Sequence, residues 1–185
     1  TLVVHGRYSL VFCADREESQ GSLTKVALKV FWPWAPENEC VDKTLKRLKR
    51  EVRVWMSLKH PNIVPLLGLF SGELGRDIGL VSGKSGPGFV SPWYSQGNVL
   101  QYIRRVPNAP REPLCEDVAR GLRYLHEQDP PITHGDLKGA NVVVASDGRA
   151  ALCDFGLSMI RDMTGFTTSS ICGTLPFMAP RTVQR

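Results

Sequence analysis

The stretch His134-Gly135-Asp136-Leu137-Lys138-Gly139-Ala140-Asn141, followed by Asp154-Phe155-Gly156, decides how the rest of this chain is read. It sets an Asp, a Lys and an Asn within six residues, and a second Asp thirteen residues after the Asn. In this order the groups suit phosphoryl transfer, which needs a carboxylate to take up a hydroxyl proton, a cation on the moving phosphate and oxygen ligands for Mg²⁺. Asp136 is the expected base and Lys138 the expected partner of the γ-phosphate. Asn141 and Asp154 are the expected metal ligands. A lone D-x-x-x-x-N is commonly a turn and D-F-G is a common tripeptide, so order and spacing carry the reading.

The residues between support it. Val142–Val144 and Ala151–Cys153 read as short strands, with a turn at Asp147-Gly148. A hairpin there sets Asn141 and Asp154 side by side at its two ends.

Upstream, Val26-Ala27-Leu28-Lys29 ends an alternating segment, Glu51 lies twenty-two residues later in a helical pattern, and His60-Pro61-Asn62-Ile63-Val64 follows. Downstream comes Gly173-Thr174-Leu175-Pro176-Phe177-Met178-Ala179-Pro180. In this order the motifs resemble the protein kinase catalytic domain from near residue 2 to residue 180. The wording of "HGDLKGANV", "GTLPFMAP" and "FVSPW" is most similar to the tyrosine-kinase-like group of Ser/Thr kinases, in a form often seen in fungal members.

The resemblance implies an α+β, bilobal fold: an N-lobe antiparallel sheet with one helix over 1–91, a hinge over 92–98, and a partial, helical C-lobe over 99–185. It implies ATP and Mg²⁺ as cofactors and a protein Ser/Thr substrate. Lys29 would hold the α- and β-phosphates, paired with Glu51. Val4, Gly6, Ser9 and Val11 would form the phosphate-covering loop and its flanks. Ala27, Ser91, Trp93 and Tyr94 would line the adenine site, with Ser91 at its back and the Trp93–Tyr94 backbone bonded to the base.

Leu2–Val4, Leu10–Cys13 and Val26–Phe31 are the first expected strands. The last N-lobe strand is expected at Phe89-Val90-Ser91 rather than Ile78–Ser82. Val99–Arg105 reads as a helical fragment, and Leu114–His126 as a helix burying Leu114, Val118, Leu122 and Leu125.

The chain departs from the family pattern in three places. Only the middle glycine, Gly6, of the G-x-G-x-x-G-x-V loop is kept. Gly135 replaces the Arg of H-R-D that pairs with an activation-loop phosphate, so switching by that route is not expected, despite Thr164, Thr167, Thr168, Ser169 and Ser170. A-P-E becomes Ala179-Pro180-Arg181, four residues before the last. The expectation is a mispredicted splice junction or a truncated product, in either case with a Leu114–His126 helix that lacks its packing partners. The alternative function is therefore a catalytically inactive kinase-like interaction module.

Composition, 42% hydrophobic and 22% charged, is that of a folded globular chain. No apolar run approaches membrane-spanning length, and no signal-peptide pattern is present. Five cysteines without a C-x-x-C argue against a disulfide framework or zinc site and point to a reducing, cytoplasmic setting. The net charge of +5 is concentrated at 43–59, which holds Lys43, Lys46, Arg47, Lys49, Arg50, Arg53 and Lys59 against Glu51. Leu45, Leu48, Val52, Trp55 and Met56 fall on one side at helical spacing. The segment therefore reads as a helix with a solvated basic face, not a nucleic-acid or membrane patch. Oligomeric state is not legible.

Overall fold

Alternation in Leu10–Cys13 and Val26–Phe31 is the period-two signal of strands, and the computed structural model forms strands there and beyond. The described residues are 1–5, 9–19, 21–31, 49, 51–70, 88–155, 159–160 and 174–178. Outside them lie the expected turn at Gly6, the breaker Trp32–Pro36, the alternative strand Ile78–Ser82, and Leu45 and Leu48 of the basic segment. So do Gly156, the hydroxyls Thr164 to Ser170, and Ala179-Pro180-Arg181. Two compact units are formed: Thr1–Leu45 with Pro65–Trp93, and Lys46–Val64 with Tyr94–Arg185.

The first unit is a five-stranded antiparallel sheet. Its strands are β1 (Leu2–His5), β2 (Ser9–Glu17), β3 (Leu23–Phe31), β4 (Gly68–Phe70) and β5 (Gly88–Pro92), in the order β1-β2-β3-β5-β4. β5 covers the expected Phe89-Val90-Ser91 and pairs with β3, Ala27 opposite Ser91 and Lys29 opposite Phe89. β2 and β3 run further than apolar alternation indicates, because charged pairs extend the ladder: Asp15 opposes Lys25, with the ammonium 2.7 Å from the carboxylate. Leu10, Phe12, Leu28 and Val30 form a buried cluster with Phe70 and Val90 against it. By the same alternation, Val11, Ala27, Lys29, Phe89 and Ser91 share the opposite face of the sheet.

The second unit begins in helix. Residues 51–57 (α1) are helical, and Glu51, Val54, Trp55 and Leu58 are buried at i, i+3, i+4, i+7. This corrects the expected stripe. Trp55 is the anchor: its indole N–H donates to the Val64 carbonyl and its ring packs 5.8 Å from that of Phe155. Met56, about 100° further round the helix, is turned outward and 63% exposed. Lys49, Arg53 and Lys59 are exposed, as a solvated face requires.

Helix α2 (Val99–Arg105) starts at a capping box in which Asn98 and Gln101 exchange side-chain to backbone bonds of 2.9 and 3.0 Å. Helix α3 spans Arg111–His126, three residues longer at its start than expected. Pro113 is tolerated because first-turn N–H groups have no intrahelical acceptor anyway. Its buried side is Leu114, Asp117, Gly121 and Leu125, with Val118 and Leu122 half-buried. The expectation that this face lacks partners is corrected. α3 packs on β6 (Ile132–Thr133) and β8 (Ala150–Leu152), and Leu114 and Leu125 are buried.

Strand β7 (Val142–Val144) pairs antiparallel with β8, one residue earlier than expected on the second strand. β6 pairs with β9 (Met159–Ile160). The outer edge of β8 is closed by groups that are not strand partners. Ala150 donates its N–H to the Asp117 carboxylate (2.9 Å) and accepts from the Asn62 amide (2.9 Å). Leu152 donates to the Asn62 carbonyl and accepts from Val64 N–H, both at 2.9 Å. Every outward backbone group of Ala150 and Leu152 is thus satisfied in a buried setting. No described helix is long and apolar enough to cross a membrane.

Candidate active site

The β7–β8 hairpin does what its sequence spacing implies. Cys153 donates its N–H to the Asn141 carbonyl at 3.0 Å, so Asn141 and Asp154 leave the hairpin as neighbours. Asp154 takes φ 66°, a left-handed conformation unusual for a residue with a side chain and a local strain. Phe155, which follows, is buried between Trp55 and the His134 ring, whose centroid lies 5.3 Å away.

His134 ties the next strip of chain to this hairpin. One ring nitrogen, Nδ1, accepts the Asp136 N–H at 3.3 Å, and the other lies 3.0 Å from the Cys153 carbonyl. Both bonds are made together only by the neutral ring carrying its proton on Nε2. Burial pushes the His134 pKa below its ordinary value; the Cys153 carbonyl, Asp154 and Asp136 oppose this and are outweighed. Between them Gly135 sits at φ 81°, where a residue without Cβ turns the chain at no steric cost.

Asp136, Lys138, Asn141 and Thr174 form a closed network. Asp136 Oδ2 accepts from the Lys138 ammonium at 2.7 Å and the Asn141 amide at 3.1 Å. Its Oδ1 accepts from the Thr174 hydroxyl at 2.7 Å, and Lys138 also donates to Thr174 Oγ1 at 2.9 Å. Partial burial pushes the Asp136 carboxyl up, but the bonds from Lys138 and Thr174, the Lys138 charge and the Asn141 bond outweigh it. The group is held below the usual carboxylate range. Four lone-pair sites with three bound donors leave one acceptor position on Oδ1, suited to a substrate hydroxyl.

Asn141 spends its amide hydrogens on the Asp136 carbonyl (2.8 Å) and Oδ2, which turns its Oδ1 the other way. The Asn141 amide oxygen and the Asp154 carboxylate, on residues that the hairpin makes backbone neighbours, are both hard-oxygen donors of the kind that suits Mg²⁺, which takes few protein ligands and completes its shell with phosphate and water. Among the described residues, no cluster of three or more His, Cys, Asp or Glu offers a metal centre made by protein alone.

In the first unit, Val11, Ala27, Lys29 and Ser91 lie on one sheet face, Ser91 nearly buried. Val4 stands opposite Val11 on β1, and Ser9 opens β2 opposite Phe31; Gly6 lies outside the described residues. Trp93 donates its N–H to the Lys25 carbonyl at 3.2 Å, continuing the sheet. Tyr94 belongs to the second unit, and its carbonyl accepts from Gly97 at 3.0 Å. Burial raises the Tyr94 hydroxyl pKa; Arg149 opposes, while Cys153 and Asp147 add to it. Glu51 lies in the second unit and is 2% exposed.

Thr174 enters the network though the sequence offered it only within the downstream stretch Gly173-Thr174-Leu175-Pro176. Its signal was the Gly-Thr pair ahead of Leu175-Pro176-Phe177. His134 was quoted only as the start of a motif.

Residues 4–185 match the model of the protein kinase domain. The chain is 33% identical over 165 residues to the probable serine/threonine-protein kinase SIS8 of Arabidopsis thaliana, covering 87% of this chain and 15% of that protein. It is 33% identical over 177 residues to the serine/threonine-protein kinase CTR1 of the same plant, covering 91% and 19%. Against TGF-beta receptor type-2 of Mus musculus it is 30% identical over 200 residues, 100% of this chain and 32% of that one. The chain thus spans a fraction, well under half, of the length of these relatives.

Proposed function

The chain belongs to the protein kinase family, and from that premise we propose that it transfers the γ-phosphate of ATP to Ser or Thr hydroxyls of a protein substrate. The observation that carries this reading is the closed network of Asp136, Lys138, Asn141 and Thr174. It supports Asp136 as the group that orients the acceptor hydroxyl and takes its proton. It supports Lys138 as the cation that is already held at that carboxylate and can share its charge with the phosphate. Bound Mg²⁺ supplies charge neutralisation on the phosphate oxygens, with Asn141 Oδ1 and the Asp154 carboxylate as its proposed ligands.

Lys29 is assigned to the α- and β-phosphates and Glu51 to holding it. The support is the position of Lys29 on the sheet face of Val11, Ala27 and Ser91, and the burial of Glu51, which suits a held carboxylate better than a surface charge. Of the backbone groups expected at the adenine, the Trp93 N–H is committed to Lys25, so the Tyr94 N–H is the proposed donor. Lobes at 1–91 and 99–185 with a hinge at 92–98 are the proposed organisation; the break between Trp93 and Tyr94 supports the hinge, whereas Lys46–Val64 group with the second unit and not with the sheet. The cytoplasm is the proposed setting; Cys13, Cys115 and Cys153 form no disulfide. The reading as an inactive module is not favoured, because the proposed acid–base, phosphate and metal groups are all present.

The test is Asp136→Asn in the full-length protein. Transfer to Ser or Thr is expected to fall about 10²–10⁴-fold, the usual contribution of a general base, with nucleotide affinity retained. Undiminished transfer sinks the assignment of Asp136. Phosphate found only on Tyr sinks the substrate type.

A further inference from the structure

We propose that the acceptor segment of the protein substrate is acidic: the side chains flanking the phosphorylated Ser or Thr are anionic and are read by Arg104, with Arg105 beside it. This rests on the kinase reading above and names the substrate class for the same site.

The argument is local charge. Helix α2 packs on the turn Gly139–Asn141, within the catalytic strip, and Leu100 is the contact: a Cβ on Gly139 would lie 2.7 Å from a Leu100 methyl. Arg104, four residues on, stands about one helical turn along the same face, and is exposed. Arg105 is held by its guanidinium to the Gln96 carbonyl (3.0 Å) and side chain (2.6 Å), which fixes a second cation at the end of the helix. The capping box at Asn98 and Gln101 fixes where the helix starts and so where both arginines stand.

Along α2 and along the strip it packs on, the sequence places no carboxylate beside them. From Tyr94 to Pro110 the charged residues are Arg104 and Arg105 alone. From Leu137 to Ser146 the one charged residue is Lys138, and Ala140, exposed beside Gly139, offers no charge. The Asp136 charge is already paired with the Lys138 ammonium, its open Oδ1 position being the one for the acceptor hydroxyl, and Asp147 is paired with Arg149 at 2.7 Å. Glu112 adjoins Arg111. A basic peptide meets repulsion from these two cations; an acidic one finds them as partners.

The experiment uses the full-length protein and matched peptides with one Ser or Thr, flanked by Asp/Glu, by Gln/Ser, by Lys/Arg or by phosphoserine. Two exposed cations predict kcat/KM for the acidic set about 3–10-fold above the neutral set, with the basic set lower again and the gap shrinking as salt rises. Preference for phosphoserine over Asp/Glu identifies phosphate as the anion read; equal preference identifies charge in general. Arg104→Glu, checked for an unchanged melting temperature, should erase or invert the order, whereas Arg16→Glu, the same charge change on β2, should keep it. Peptide binding by fluorescence anisotropy, with a non-hydrolysable nucleotide present, is read in parallel. If no peptide is phosphorylated, the kinase reading fails, and the binding order still decides the charge preference. Equal affinity for acidic and basic peptides, or an order untouched by Arg104→Glu, overturns the proposal.

Discussion

Replacing Asp117 by Ala is expected to loosen the β7–β8 hairpin, although residue 117 lies far along the chain from both of its strands. The carboxylate accepts the Ala150 N–H at 2.9 Å, and Ala150 is 0% exposed, so water cannot replace the lost acceptor. Leaving that donor orphaned costs about 1–3 kcal/mol. The second bond of the carboxylate, to Arg120 at 3.1 Å, adds at most about 0.5 kcal/mol, because the guanidinium is mostly in water. At about 2–4 °C per kcal/mol for a chain of this size, a loss of about 1–3.5 kcal/mol lowers the melting temperature by about 2–14 °C. Asp117→Asn keeps an oxygen for Ala150 and loses only charge assistance, so it should cost about 1 kcal/mol. Amide hydrogen exchange gives the local readout. Ala150 should exchange faster in the Ala variant, while Ala151, whose N–H faces β7, provides the reference within the same strand. An Asp117→Ala protein that melts with the wild type and keeps Ala150 protected would refute the account of how this edge is closed.

Gly121→Ala should destabilise by about 1–3 kcal/mol through overpacking, despite the better helix propensity of Ala, because the new Cβ would lie 2.8 Å from the Asn62 carbonyl and 3.1 Å from a Leu152 methyl; thermal melting checks it. Stability should fall with acidification through His134. Its folded pKa is depressed, so its contribution is whole above the unfolded value near 6.5 and is lost as pH drops through the lower folded value. NMR titration of the His134 ring measures that value directly, and His60, lowered by burial and by Arg123, adds a slope of the same sign. Replacing Thr164, Thr167, Thr168, Ser169 and Ser170 by Ala in the full-length protein should leave most phosphate transfer intact, since Gly135 has no side chain to receive a loop phosphate; a large loss rescued by acidic substitutes would show that another cation does.

What the sequence made legible was local. Asn141 and Asp154 converge because an Asp-Gly turn and two apolar triplets define a hairpin, and all of that lies within fourteen residues. The sheet face of Val11, Ala27, Lys29 and Ser91 follows from alternation once the strands are paired. The orientation of α1 was misread because Met56 is as apolar as its neighbours, and only the bond from Trp55 to Val64 and the ring of Phe155 select the buried side. The start of α3 was missed because Pro113 looks like a breaker until it is placed in a first turn. Asp117 and Asn62 look like ordinary surface polar residues; their bonds to Ala150 join positions 33 and 88 residues apart, a separation that no short-range pattern encodes. Thr174 reaches Asp136 across 38 residues for the same reason.

The alternation of β3 also decides where this chain can grow. Lys29 and its neighbours Leu28 and Val30 differ by one step and sit on opposite faces, one polar in purpose and one packed in the core. A single residue inserted between Ala27 and Leu28 would exchange the two faces from that point on, sending an ammonium into the apolar layer and a leucine to the side of Ala27 and Ser91. The connection between β2 and β3 is different. Glu18, Gly21 and Ser22 are joined by their own short backbone bonds, and a Cβ on Gly21 meets nothing within 4 Å. Extra residues there lengthen a hairpin tip without moving a single pair of the ladder. Natural length variation, and any reporter built into this chain, therefore belongs at that tip and not six residues later.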